Sequence, residues 1–151
     1  MDVLHLEDLA AGQIYGSAGR LTVDPEEVAA FAARYDPQPF HLDDAAARNS
    51  VFGRLAASGW HTAAMTMRLL LESDFRPAGG IIGAGMDELR WPRPVHPGDV
   101  LRVESEVLEV RPSRSRPDQG WVKARTTTLN GRGEPVQVVV ANLVVPRRSP
   151  A

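Results

Sequence analysis

The segment Asp36-Pro37-Gln38-Pro39-Phe40-His41 places a carboxylate and an imidazole five residues apart. Aspartate and histidine are common partners in general acid–base catalysis near neutral pH. The later segment Ser58-Gly59-Trp60-His61 begins a long apolar helical pattern. The first turn of a helix offers unpaired backbone N–H groups to an anion or to a developing oxyanion. An acid–base pair beside such an oxyanion site suits chemistry on a thioester carbonyl and the neighbouring carbon atoms.

A helix is predicted immediately before the Asp36–His41 segment. The sequence Asp24-Pro25-Glu26-Glu27 combines a capping residue, a first-turn proline and a capping-box glutamate. Pro37 and Pro39 end this helix, because each lacks an N–H and disfavours the helical conformation of the residue before it. We therefore predict a proline-stiffened loop from 36 to 41. Fully extended, it would separate the two side chains by about 16 Å, so it must curl if both are to reach one water molecule.

The second strong helical pattern runs from Gly59 to Leu71. One broad face of this helix is apolar, and Met65 and Leu69, which are not counted in that face, are apolar too, so the helix is apolar on nearly every side. The members of that face are Trp60, Ala63, Ala64, Met67, Leu70 and Leu71. A helix that is apolar nearly all round is expected to be buried rather than to lie on a surface.

The rest of the chain is rich in strand-forming residues. The predicted strands are Ile81 to Trp91, Val100 to Val110, Trp121 to Leu129 and Pro135 to Val145, with an earlier strand region from Gly12 to Val23. Asn130-Gly131 is a strong hairpin signal, and a short helix is predicted over 43–48. Helices segregated from antiparallel strands indicate the α+β class. A curved antiparallel sheet wrapped around one long central helix would cover that helix.

Composition limits the possible functions. A length of 151 residues suggests one domain, 1–151, of which we predict 147–151 to be a disordered tail. The net charge of −2 gives no sign of nucleic-acid binding. The absence of cysteine removes disulfides, thiolate metal ligands and cysteine nucleophiles, and it fits a reducing cytoplasm. We find no signal-peptide pattern and no apolar run of membrane-spanning length, and we expect a cytoplasmic protein with no membrane partner.

Taken together, these residues resemble the MaoC-like dehydratases and the (R)-specific enoyl-CoA hydratases. The resemblance is carried by the segments 36–41 and 58–59 and by Leu89-Arg90-Trp91-Pro92-Arg93-Pro94-Val95-His96-Pro97-Gly98-Asp99. It extends over roughly residues 5 to 146. It implies the hotdog fold, in which a sheet wraps one central helix.

The resemblance also implies roles for individual residues. Asp36 and His41 would activate water for addition to a trans-2-enoyl thioester, and the Gly59 amide would hold the thioester oxygen. Ser58, Trp60 and Met67 would contact the substrate. The chain departs from the family pattern at Gln38, where asparagine is usual, at Ser58, where histidine is frequent, and at Met67, where some hydratases have serine. The implied activity is enoyl-CoA hydration or dehydration, with an acyl-CoA-type thioester as substrate and without a cofactor.

Two other functions fit the same scaffold, since one fold hosts several chemistries. One is an acyl-CoA thioesterase, and the other is a non-catalytic domain that binds acyl thioesters. The carboxylate–imidazole pair beside a helix start favours hydration over both. Plain structural roles also exist: Asp36 and His41 suit a turn, and Gly59 suits close packing at a helix start.

The sequence gives less support for a functional role of the remaining histidines and the arginines. We predict a packing role for His61 and a turn position for His96, and no histidine spacing indicates a metal site. Several arginines could bind the phosphates of coenzyme A, although each alone is more simply a solvated surface charge. These are Arg90, Arg93, Arg111, Arg114 and Arg116.

Oligomerisation is expected from the sheet itself. One sheet around one helix leaves an edge strand open, and exposed edges tend to pair. The resemblance implies that hotdog units pair edge to edge, with their active sites at the seam. We therefore expect a homodimer or a higher homo-oligomer.

Overall fold

The computed structural model describes residues 2–149, which form a six-stranded antiparallel sheet packed against one long helix. The strands are β1 (Ile14–Gly16), β2 (Leu21–Thr22), β3 (Gly83–Arg90), β4 (Val100–Pro112), β5 (Gln119–Leu129) and β6 (Pro135–Pro146). Their order is β1-β4-β5-β6-β3, and β2 pairs with β4. This is the hotdog fold, so the predicted α+β class is confirmed.

The structure also contains a short 3-10 helix, Leu6–Asp8, and four α-helices: α1 (Pro25–Tyr35), α2 (Pro39–Leu42), α3 (Asp44–Ala47) and α4 (Gly59–Leu71). Three of them begin at a residue whose side chain accepts a hydrogen bond from the first turn. These capping residues are Asp24 for α1, Asp43 for α3 and Ser58 for α4. Sequence signals for helix starts therefore locate most of the helical boundaries.

The helix α2 corrects the prediction of a loop over 36–41. Pro39 occupies its first position, where the missing N–H would have no intrahelical partner in any case. One helical turn then brings His41 back towards Asp36. The curl that the sequence required is therefore made by a turn of helix.

The core lies between α4 and the inner face of the sheet. Along β4, the buried residues Leu101, Val103, Ser105 and Val107 occupy every second position, as expected for a strand with one covered face. Met65 and Leu69 of α4 pack against this face. This packing holds α4, and with it the residues at its N-terminus, against the sheet.

The prediction that α4 is buried on nearly every side is wrong for the single chain. His61, Met65, Leu69 and other residues of one face are buried. The opposite face exposes Trp60 by 56%, Met67 by 42% and Leu71 by 53%. The strand β3, at one edge of the sheet, also exposes most of its residues. The apolar composition of α4 therefore exceeds what one chain covers.

The segment after β6 contacts the loop before β5 and the N-terminal segment. The backbone N–H of Arg147 donates to the Asp118 carbonyl at 2.8 Å. The Arg148 guanidinium donates to Asp8 at 2.6 Å. Residues 150–151 of the predicted tail lie outside the described residues. Over the described range 2–149, no helix has both the length and the apolar character needed to cross a bilayer.

Candidate active site

Asp36 and His41 lie side by side near the N-terminus of α4. His41 Nε2 is 3.5 Å from Asp36 Oδ2. Asp36 is the residue that ends α1, where its N–H donates to Ala32, and His41 is in α2. The side chain of His41 is 6% exposed and that of Asp36 is 18% exposed. The two predicted acid–base residues therefore meet, with the Asp36 carboxylate partly exposed and the His41 ring almost fully buried.

A backbone carbonyl fixes the orientation of the His41 ring. Nδ1 is 2.6 Å from the Ala56 oxygen, and because a carbonyl can only accept, Nδ1 carries the hydrogen. In the neutral ring, Nε2 then has a free lone pair directed at Asp36. The rings of Phe40 and Phe52 pack against the imidazole at centroid distances of 4.6 and 5.9 Å. A lone pair facing a carboxylate suits a water molecule that donates one hydrogen to each.

Two donors hold the Asp36 carboxylate. Ser58 Oγ donates to Oδ2 at 2.7 Å, and Gln38 Nε2 donates to Oδ1 at 2.5 Å. Burial raises the pKa of Asp36, but the hydrogen bonds from Ser58 and Gln38, together with the charge that His41 carries when it is protonated, outweigh this effect, so the pKa lies below its ordinary value. Asp36 is therefore ionised at neutral pH.

Ser58 lies behind this carboxylate. It is fully buried, and its hydroxyl donates to Asp36 while accepting from the Trp60 N–H at 3.2 Å. Both hydrogen bonds are made within the chain, which leaves the hydroxyl directed away from solvent. The sequence motif placed Ser58 in the site, but the contact with Asp36, 22 residues away, follows only from the packing of α4 beside α1.

Gly59 begins α4, and its backbone amide is among those without an intrahelical acceptor. A side-chain carbon at this position would lie 2.7 to 2.9 Å from three ring atoms of Trp91. The Trp91 indole is held there by a hydrogen bond from Nε1 to Gln137 Oε1 at 2.9 Å. The missing side chain of Gly59 thus leaves room for Trp91.

This contact predicts that Gly59→Ala lowers the melting temperature. Overpacking of this kind costs about 1–3 kcal/mol, because the indole ring cannot move without losing its bond to Gln137. Thermal unfolding of Gly59→Ala, Trp91→Leu and the double variant measures the coupling. We expect the alanine to cost much less when Trp91 is already replaced. Equal costs in both backgrounds would contradict the contact.

Trp60 and Met67 line an apolar cavity of about 360 Å³ between α4 and the strands β3, β5 and β6. We call it the apolar cavity, and it begins one residue after Gly59. Thr66 and Gln137 are among its few polar lining residues. The Thr66 hydroxyl is paired with Thr128 at 2.6 Å, and Gln137 receives the Trp91 hydrogen bond. The cavity is therefore suited to an apolar group.

The other candidate histidines lie apart from the Asp36–His41 pair. His61 is buried, and its ring stacks on Phe31 at 4.7 Å. Burial lowers the pKa of His61, and the charge of Glu27 opposes this effect. His96 lies in the turn before β4, with Nδ1 2.8 Å from the Leu55 oxygen. Among the residues that the structure describes, no group of three or more histidine and carboxylate side chains could hold a metal ion.

Comparison with known proteins identifies a family whose sequence model matches this chain. Residues 8–129 match the family model described as a MaoC-like domain. The crystal structure of the MaoC-like dehydratase from Rhodospirillum rubrum superposes with a TM-score of 0.92 at 57% identity. That likeness covers 97% of this chain and 99% of the other.

Two further proteins are similar over most of their length. The 3-hydroxyacyl-thioester dehydratase Z of Mycobacterium tuberculosis is 31% identical over 140 residues, which is 90% of this chain and 89% of that protein. The (R)-hydratase from A. caviae, which is involved in PHA biosynthesis, has a TM-score of 0.74 at 29% identity. This likeness covers 93% of this chain and 99% of the hydratase chain.

Proposed function

This chain belongs to the MaoC-like domain family, and from that premise we propose that it adds water to, or removes water from, an enoyl thioester with Asp36 and His41 as the acid–base pair. The observation that carries the proposal is the 3.5 Å approach of His41 Nε2 to Asp36 Oδ2. The functions of the dehydratase and hydratase relatives support the same reaction class. The sequence resemblance implies an acyl-CoA-type thioester and does not distinguish coenzyme A from an acyl carrier protein.

In the proposed reaction, a water molecule donates one hydrogen to Asp36 and one to His41 Nε2. Asp36 remains a carboxylate and fixes the water, since its pKa lies below the ordinary value. His41 takes a proton as the water oxygen forms a bond to C3 of the substrate, and the C2–C3 double bond opens towards C2. The imidazolium that results is stabilised by the adjacent carboxylate.

The thioester oxygen gains negative charge in this step and requires a donor. We assign this role to the Gly59 amide, which lies one residue from Ser58 and has no acceptor within its helix. His41 then returns the proton to C2, the charge on the oxygen disappears, and the product is a 3-hydroxyacyl thioester. Dehydration is the same sequence in reverse. Water addition transfers no electrons to or from a carrier, so the proposal includes no cofactor.

Trp60 and Met67 place the acyl chain in this proposal. They line the apolar cavity that starts beside Gly59, so a chain whose carbonyl is held by Gly59 can extend into it along α4. Met67 makes this wall apolar, at the position where the family resemblance implies a serine in some hydratases. Ser58, in contrast, acts by positioning Asp36 rather than by contacting the substrate.

We also propose that the active form is a homodimer in the cytoplasm. The exposed face of α4 and the open edge of β3 form one apolar surface that includes Trp60, Leu71 and Met86. Surfaces of this kind usually mark an interaction site. A second copy that pairs edge to edge along β3 would cover it.

The test of the proposed function is an assay with crotonyl-CoA and longer trans-2-enoyl-CoA substrates. Hydration removes the enoyl absorbance without releasing a thiol. A thioesterase would release free coenzyme A, which a thiol reagent detects in the same sample. Thiol release at the rate of substrate loss would overturn the proposal in favour of the thioesterase. No turnover of any chain length would favour a binding domain.

The positioning role of Ser58 predicts a change in the pKa of Asp36. A donor to the charged form lowers a carboxyl pKa, so its removal in Ser58→Ala should raise the Asp36 pKa, and the loss of activity at low pH should begin at a higher pH. Carboxyl NMR titration measures the pKa directly. Gln38→Leu removes the other donor without changing the cap of α4, and we expect the same direction. An unchanged Asp36 pKa in both variants would contradict the role.

A further inference from the structure

A second cavity, of about 470 Å³, lies where the turn before β4 meets the turn between β5 and β6. Three arginines line it: Arg54, Arg93 and Arg132. We call it the arginine cavity. Only Arg93 was among the arginines singled out from the sequence, because the three are far apart along the chain and only the fold assembles them.

The carboxylates of the arginine cavity are already engaged by its own loops. Glu134 accepts from Asn130 Nδ2 at 3.1 Å and pairs with Arg93 Nε at 3.3 Å. Asp99 Oδ2 accepts from the His96 N–H at 2.9 Å. The ion pair with Glu134 offsets the charge of Arg93, whereas Asp99 keeps its charge and holds the turn through its bond to His96.

Arg54 and Arg132 remain without such a partner. Within residues 2–149, neither guanidinium forms an ion pair with a carboxylate. The pKa of Asp44 is lowered mainly by the hydrogen bond from the Leu55 N–H, against the opposing effect of burial, and then by the charge and hydrogen bond of Arg48. The charge of Arg54 makes the smallest of these contributions. The arginine cavity therefore keeps two free guanidinium groups, which bind phosphate with paired, parallel hydrogen bonds.

The segment from Arg54 to Ser58 links the arginine cavity to the Asp36–His41 pair. Along it, the Leu55 carbonyl accepts from His96, the Ala56 carbonyl accepts from His41, and the Ser58 hydroxyl donates to Asp36. Because the Leu55 carbonyl can only accept, His96 Nδ1 carries the hydrogen and donates it. Four extended residues cover at most about 14 Å. The pantetheine arm, with two amide units and their methylene groups between sulfur and phosphate, is suited to such a span.

We propose that the arginine cavity binds the phosphate groups of the thioester carrier, with Arg54 and Arg132 as the principal ligands. This inference rests on the proposed function for the identity of the reacting end, whereas phosphate binding depends on the cavity alone. Two carriers share this chemistry: coenzyme A, with a diphosphate and a 3′-phosphate, and the phosphopantetheine group of an acyl carrier protein, with one phosphodiester. Arg111 and the basic loop after β4 lie at the opposite end of that strand and take no part.

The kinetic test compares crotonyl-CoA with crotonyl-pantetheine, which has the same reacting end and no phosphate. For Arg54→Ala and Arg132→Ala, we expect KM for crotonyl-CoA to rise about tenfold or more, as for loss of a charged hydrogen bond, with kcat unchanged. The kinetics with crotonyl-pantetheine should not change. The control is Arg148→Ala, an exposed arginine at the other end of β6, which should behave as wild type on both substrates. Equal effects on both substrates would overturn the inference.

A binding test separates this inference from the proposed function and distinguishes the carriers. Calorimetry uses adenosine 3′,5′-bisphosphate and 4′-phosphopantetheine as probes, with the wild-type protein and the Arg54→Ala/Arg132→Ala double variant. Arginine-dependent binding of adenosine 3′,5′-bisphosphate indicates that the carrier is coenzyme A. Arginine-dependent binding of 4′-phosphopantetheine alone indicates an acyl carrier protein. Such binding without hydration of any enoyl thioester would leave the inference standing and refute the proposed function. Hydration with no binding of either probe, or binding that the double variant retains, would refute the inference.

Discussion

Replacing His41 with alanine should lower kcat for enoyl-CoA hydration by at least about 10²-fold. The variant removes the only group that, in this account, takes the proton from water. Asp36→Asn should have an effect of the same order, because the asparagine amide would direct a donor or a neutral oxygen at the water in place of a charge. Steady-state kinetics on the best enoyl-CoA substrate measures both effects, and circular dichroism checks the fold.

The chain contains a second histidine–aspartate pair that serves as a control. His5 Nδ1 lies 3.9 Å from Asp8 Oδ2 near the start of the chain, in no contact with the site. His5→Ala should therefore leave kcat unchanged. Near-normal turnover by His41→Ala would remove the proposed mechanism, as would an equal loss in His5→Ala and His41→Ala.

The second large effect concerns assembly. Met86 is 57% exposed on the edge strand β3, within the surface that we assign to the partner copy. Met86→Lys would place an uncompensated charge in each half of that interface, at a cost of about 3–5 kcal/mol per charge. We expect the wild type to have twice the chain mass of 16.4 kDa and the variant to approach one chain mass.

Light scattering at micromolar concentration measures this change. Val51→Lys is the matched control, because Val51 is 96% exposed and lies in the turn after α3, outside the proposed interface. It should remain a dimer. A monomeric wild type, or a Met86→Lys variant that stays dimeric, would contradict the proposed assembly.

Local sequence signals predicted much of this fold. The four later strands have nearly the predicted bounds, because strand-forming residues and turn sequences are local signals that extend over only a few positions. Their order in the sheet was not predicted. The Asp24 cap and Pro25 located α1 correctly. The helix α2 was missed because two prolines suggest a break, although Pro39 at a first helical position is compatible with a new helix.

Contacts between distant parts of the chain could not be predicted in this way. The Ser58–Asp36 hydrogen bond and the packing of Trp91 on Gly59 depend on how α4 lies beside α1 and the sheet. The exposed face of α4 shows another limit, since an apolar pattern does not distinguish burial within a chain from burial against a partner. Arg54 and Arg132 were missed for the same reason: only the meeting of two turns brings them together.

In the proposed mechanism, water is added to C3 of the acyl group with the help of His41 and Asp36. The most direct test is turnover of an enoyl-CoA in ¹⁸O-labelled water, followed by mass spectrometry of the products. We expect ¹⁸O in the hydroxyl group of an intact 3-hydroxyacyl-CoA formed by the wild type, and almost none of this product from His41→Ala. Label in the carboxylate of a free acid, or equal labelling of the 3-hydroxyl by wild type and His41→Ala, would contradict this mechanism.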